Sequence, residues 1–104
     1  MARYQSYIQE LEALHGWSGV DLVHNCFLMG EEVGELFKAV RKYESLFSDA
    51  RVGSVGDAGS AKTEVAEELV DVFNYLLAIA NRLDIDLEAA FREKNEVNQG
   101  RRWT

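Results

Sequence analysis

The sequence contains no proline. Long helices can therefore run without the steric clash and lost donor that proline imposes. It has one cysteine, Cys26, so no internal disulfide can form and a reducing cytoplasm is the expected location. No stretch approaches the ~18 consecutive apolar residues that span a bilayer. The amino-terminal MARYQSYIQELEALHG is polar and alternating, without the apolar core of a secretory signal, so no membrane partner is expected. Positive charge is scarce: 11 Lys and Arg stand against 18 Asp and Glu, for a formal net charge of −7. That balance argues against a nucleic-acid polymer as partner, which would need a basic footprint. It does not exclude a nucleotide, because a bound cation inverts the local sign.

What the chain does have is apolar periodicity. Its 104 residues, 47% of them hydrophobic, fit one globular domain, residues 1–104. A first helix is expected over about Ala2 to His15, ended by Gly16. A second runs from about Asp21 to Phe47, with Leu22, Cys26, Met29, Val33, Leu36, Val40, Tyr43 and Phe47 alternating spacings of four and three. Residues 49–60, DARVGSVGDAGS, hold three glycines and read as a loop, either a lid or a plain connector. A third helix is expected over about Ala61 to Leu83, with Ser60 as its cap and Val65, Leu69, Val72, Leu76, Ile79 and Leu83 as its stripe. Asp84 and Asp86 mark a turn and a new N-cap. A fourth helix follows over about Leu87 to Asn98. The fold class is all-α: an antiparallel four-helix bundle-like protomer, expected to assemble into a homodimer or homotetramer because so short a chain buries little of its own surface.

The two long helices echo each other. Residues 31–36 read EEVGEL and residues 67–72 read EELVDV. Glu32 pairs with Glu35, and Glu68 with Asp71, at a spacing of three, which puts each pair on one helical face. Each of these acids immediately precedes a stripe residue, so both pairs border the apolar seam on the same side. Antiparallel packing through the seams would bring four carboxylates together. Two like charges ~4 Å apart repel by about 4 kcal/mol at an effective dielectric of 20. Retained protons or divalent cations must offset that. Hard oxygen donors with no His or Cys at ligand spacing favour Mg²⁺, with Mn²⁺ as substitute, over Zn²⁺. The alternative is a solvated acidic face that binds nothing.

These motifs resemble those of the MazG-like all-α nucleoside triphosphate pyrophosphohydrolases, whose signature E-E-x-x-E, spacer, E-x-x-D matches Glu31-Glu32-Val33-Gly34-Glu35 and Glu68-Leu69-Val70-Asp71. The contexts EEVGEL and EELVDVFNYLL are similar as well, and the resemblance covers about residues 15–103. The spacer of 32 residues between Glu35 and Glu68 is longer than usual. The resemblance implies Mg²⁺-dependent hydrolysis of a (deoxy)nucleoside triphosphate to monophosphate and pyrophosphate, as in nucleotide-pool cleansing. Glu32, Glu35, Glu68 and Asp71 would serve as catalytic metal ligands. Lys94, Asn98 and Arg101 would bind phosphates, and Trp17 would stack on the base. Two rival readings remain. One is a related pyrophosphohydrolase acting on dUTP or phosphoribosyl-ATP. The other is a non-catalytic helical interaction module.

Overall fold

The helical periods of the sequence are realised in the computed structural model, which describes residues 1–48 and 55–101. Helix α1 spans Ala2–His15, α2 Leu22–Ser48, α3 Val55–Arg82 and α4 Leu87–Gln99. Among the described residues there is no strand, and no helix is long and apolar enough to cross a membrane.

The ends of the elements follow local chemistry. Gly16 closes α1 in the left-handed region at φ 74°. The Gly16 N–H donates to the Ala13 carbonyl at 3.3 Å and the Trp17 N–H to the Glu12 carbonyl at 2.8 Å. This two-bond closure satisfies the last carbonyls of the helix and depends on a residue that tolerates positive φ. Asp84 performs the same task after α3 at φ 56°, with its N–H on the Asn81 carbonyl and the Ile85 N–H on the Ala80 carbonyl. Asp86 then caps α4, its side chain accepting from the Ala89 N–H at 3.2 Å, as the sequence predicts.

Two expectations are corrected. Residues 55–60 are helical, not loop, so Ser60 lies inside α3 and does not cap it. Extending an existing helix adds a hydrogen bond per residue, and each glycine costs only about 1 kcal/mol relative to Ala. Ala61, 1% exposed, anchors this extension. The rest of the expected loop, residues 49–54, lies outside the described residues. The stripes are also not wholly inward. Leu69, Leu76 and Leu83 of α3 are exposed, and so is Cys26 of α2. The residue that α3 buries most fully is Leu77, one position away from the expected Leu76. Its apolar positions occupy more than one face, and α1 takes the face centred on Leu77.

Helices α2 and α3 form the most extensive pairing, and α1 packs on α3. The α2–α3 pair is antiparallel: Lys42, late in α2, reaches Glu64, early in α3, at 3.1 Å, while Glu32 meets Glu68 and Asp71 further along. The core is small, centred on Ile8, Leu77 and Ala78 with Met1, Leu11, Phe73 and Leu87 against it. Gln5 ties three elements together. Its amide donates to the Asn81 side-chain oxygen at 3.1 Å and to the Ile85 carbonyl at 2.8 Å, and its side-chain oxygen accepts from the Leu87 N–H. Asn81 in turn donates to the Gln5 carbonyl at 2.8 Å. This polar knot ties the start of α4 to α1 and to the end of α3.

Candidate metal and nucleotide site

The acids of the two echoing motifs meet where α2 and α3 pair. One carboxylate oxygen each from Glu32, Glu68 and Asp71 lies within 4.8 Å of the other two. Glu32 and Glu68 are half-buried and Asp71 is exposed. Helical spacing explains the pairing of Glu68 with Asp71, and the antiparallel register of α2 on α3 supplies Glu32. Glu35 stands outside this three-way group. It lines a neighbouring groove together with Glu68 and remains close enough for its charge to act on Glu32. Glu31 and Glu67 are exposed.

The cluster is electrostatically incomplete. The Glu32 carboxyl is pushed above the ordinary carboxylate range, first by burial, then by a hydrogen bond to Glu68 in which Glu32 keeps the proton, and then by the charges of Asp71, Glu68 and Glu35. Glu68 Oε2 is buried and has no hydrogen-bond partner. A buried, unpartnered carboxylate oxygen beside two further acids is the setting in which a hard divalent cation is favoured. The donor set therefore fits a divalent metal, and all of its ligand atoms would be oxygen.

Two concavities flank the acids. The first, about 440 Å³, reaches from Glu32 and Asp71 to Trp17, with Asn25, Asn74 and Tyr75 in its wall. Trp17 is half exposed and stacks on His15 with ring centroids 4.5 Å apart and planes at 19°. Its carbonyl accepts from Arg82 at 3.2 Å, which holds the connector against the end of α3. The Tyr75 hydroxyl is pushed up by burial first and then by the charges of Glu32, Asp71 and Glu31, so it keeps its proton and remains a donor. The second concavity, about 560 Å³, lies on the other side of the acids. Lys38, Arg41 and Lys42 line it with Glu35, Glu64 and Glu68. Lys42 is engaged by Glu64.

Among the residues expected from the sequence, Trp17 thus shares the first concavity with Glu32 and Asp71, while Glu35 and Glu68 line the second. Lys94, Asn98 and Arg101 line neither of the two. Lys94 and Arg101 are exposed, and the Asn98 side-chain amide donates to Asn95 at 3.3 Å. Asn25, Asn74, Tyr75, Lys38 and Arg41 were not singled out by sequence reasoning. A signal for some of them exists: Asn25 stands seven residues before Glu32, and Asn74 and Tyr75 stand three and four after Asp71. Each therefore shares a helical face with an acid of the motif.

No curated protein and no solved structure matches the chain significantly. Residues 5–98 match the family model of phosphoribosyl-ATP pyrophosphohydrolase. The resemblance to MazG-like enzymes holds at the level of the superfamily that contains this family. The match spans both acidic motifs and all four helices, and it makes the protein a hydrolase of phosphoric anhydrides: the chain belongs to the phosphoribosyl-ATP pyrophosphohydrolase family.

Proposed function

We propose that the protein hydrolyses the α–β phosphoanhydride of a nucleotide, releasing pyrophosphate, with Mg²⁺ held by Glu32, Glu68 and Asp71. The observation that carries this reading is the approach of those three carboxylates to within 4.8 Å across two helices. Phosphoribosyl-ATP is the first substrate to consider, because it names the matching family. A plain (deoxy)nucleoside triphosphate is the second. The observation favouring it is size: the cavity between the acids and Trp17, about 440 Å³, lies at the low end of small-molecule sites and suits one base with its sugar.

When bound, the cation would neutralise phosphate charge and acidify a water. The chain's own residues do the rest. Glu35, outside the three-way group, is free to orient the attacking water and take its proton. Lys38 and Arg41 line the groove beside Glu35 and Glu68 and suit the charge of the departing pyrophosphate, Arg41 bidentately. Trp17 supplies a face for the base. Lys94, Asn98 and Arg101, which line neither concavity, would contribute across a subunit contact, from α4 and the residues just after it in a second copy of a homodimer or larger assembly.

The test is pyrophosphate release from phosphoribosyl-ATP and from all the ribo- and deoxyribonucleoside triphosphates, dUTP included. Release is expected with Mg²⁺ and not with a chelator. Asp71→Asn or Glu35→Gln should lower it by two orders of magnitude or more, about 2.7 kcal/mol of transition-state stabilisation. A cation that binds only the folded chain also raises the melting midpoint, by about 2.7 kcal/mol of stability at a hundred-fold excess over its Kd. No release from any substrate, together with no Mg²⁺-dependent rise, would leave the helical interaction module as the better reading.

A further inference from the structure

We propose that Asn25 is the residue that recognises the base: its carboxamide donates a hydrogen bond to an acceptor atom on the edge of a planar heterocycle held in the cavity beside Trp17. This rests on the nucleotide reading above and adds a specificity-determining residue to it.

Asn25 is 3% exposed, among described core residues that are otherwise apolar. Its side-chain Nδ2 is sealed from solvent and donates to nothing. The backbone is already satisfied, since the Asn25 N–H donates to the Asp21 carbonyl at 2.9 Å. So only the side chain is left over. A buried donor without an acceptor destabilises the fold, and an apolar residue of similar size would remove that cost. Packing therefore gives no reason for an amide here.

The position of the residue supplies one. Asn25 lines the cavity whose other wall residues include Trp17, Tyr75, Glu32 and Asp71. Glu32 and Asp71 bring carboxylates to that cavity, where a metal and phosphate belong, and Glu12 adds a third. Trp17, backed by His15 at 4.5 Å, brings an aromatic face. A nucleotide matches these features: phosphate at Glu32 and Asp71, ring face on the indole, ring edge toward the wall. The last torsion of an Asn side chain is soft and broad, so the amide can swing toward a ligand with no backbone movement. A donor that stays unpaired until the right ring enters discriminates strongly. A ring with a donor, or nothing, at that point leaves the buried amide unsatisfied.

The measurement is nucleotide binding without turnover. Isothermal titration with Mg²⁺ would compare a panel of nucleoside 5′-monophosphates with ribose 5-phosphate, which carries the same phosphate and no base. At least one nucleotide should bind the wild type 10-fold or more tighter than ribose 5-phosphate. In Asn25→Leu that ratio should fall to within 3-fold, while the thermal midpoint stays equal or rises. Asn25→Asp, which keeps the shape and removes the donor, should lose the ratio as well, and serves if Asn25→Leu does not fold. A ratio preserved in both variants, or a wild type that binds nucleotides no better than ribose 5-phosphate, overturns the proposal. If the ratio behaves as expected while no substrate releases pyrophosphate, the hydrolase reading fails and the role of Asn25 stands.

Discussion

The Glu32 carboxyl sits among three acids on two helices, and each neighbour makes its ionisation harder. Its raised pKa is also a statement about stability. Between the ordinary carboxylate range and that raised value, the folded chain holds a proton that the unfolded chain has released. Stability must therefore fall as pH rises through that window, and it is recovered as pH falls. Urea unfolding with a chelator present should show a higher midpoint near pH 5 than near pH 7. Glu32→Gln should flatten that dependence and raise the midpoint at pH 7, because the substitution removes a charge that burial and three carboxylates oppose. An unchanged pH profile in the variant would mean that the general excess of negative charge, and not this cluster, sets it. The grouping of Glu32, Glu68 and Asp71 was legible from sequence because motif spacing and helical geometry share one period, whereas Glu35, expected with them, stands outside it. Asn25 was not, since a single amide among apolar neighbours gains meaning only once it is known to be buried and unpaired.

Among the elements, the ends of the helices were readable and the depth of their packing was not. Gly16, Asp84 and Asp86 announce turns and caps through local rules, and all three act as such. The start of α3 obeys a different balance. Its first turns continue a long helix, a gain of one hydrogen bond per residue that loop-like composition does not report, so a stretch that reads as loop is helix. The same distinction separates Leu77 from Leu76: periodicity locates a stripe to within one residue, and a third helix decides which residue is covered. The turn between α3 and α4 offers a direct check. Asp84 occupies the left-handed region at φ 56°, a conformation that disfavours side chains by about 1 kcal/mol and costs glycine nothing. Asp84→Gly should therefore stabilise the protein by up to about 0.5 kcal/mol, net of the added freedom of the unfolded chain. Chemical denaturation reads this directly. A loss of stability would show that the Asp84 carboxylate makes a contribution that the backbone geometry conceals.

The protomer as a whole is too open for its length. Its Cα radius of gyration is 17.4 Å, against about 13 Å for a compact domain of this size. The described apolar core amounts to Ile8, Ala39, Ala61, Leu77, Ala78 and Ala80. Meanwhile α2 carries an uncovered line at spacings of four, three, four and three: Val23 and Phe27, then Gly30 and Gly34, then Phe37. Val23 is 57% exposed and the two phenylalanines 69% each. A Cβ added at Gly30 or Gly34 would meet nothing within 4 Å, so among the described residues no other helix approaches these glycines closely. Apolar residues flanking small ones at alternating spacings of four and three are the pattern of a helix seam that another helix can cover. Exposed apolar surface of this extent is what interaction sites present, and a second copy of the chain would carry a matching line. Light scattering at micromolar concentration should give at least twice the chain mass of 11.8 kDa. Phe27→Lys combined with Phe37→Glu should reduce that to the monomer mass and lower the melting midpoint, because each protomer then loses the cover for its seam. If the phosphate-binding role proposed for Lys94 and Arg101 is exercised across that contact, the monomeric variant should also lose pyrophosphate release while retaining the Mg²⁺-dependent rise in melting midpoint. A wild-type chain that is already monomeric, yet stable and active, would show instead that the exposed line on α2 serves some other partner.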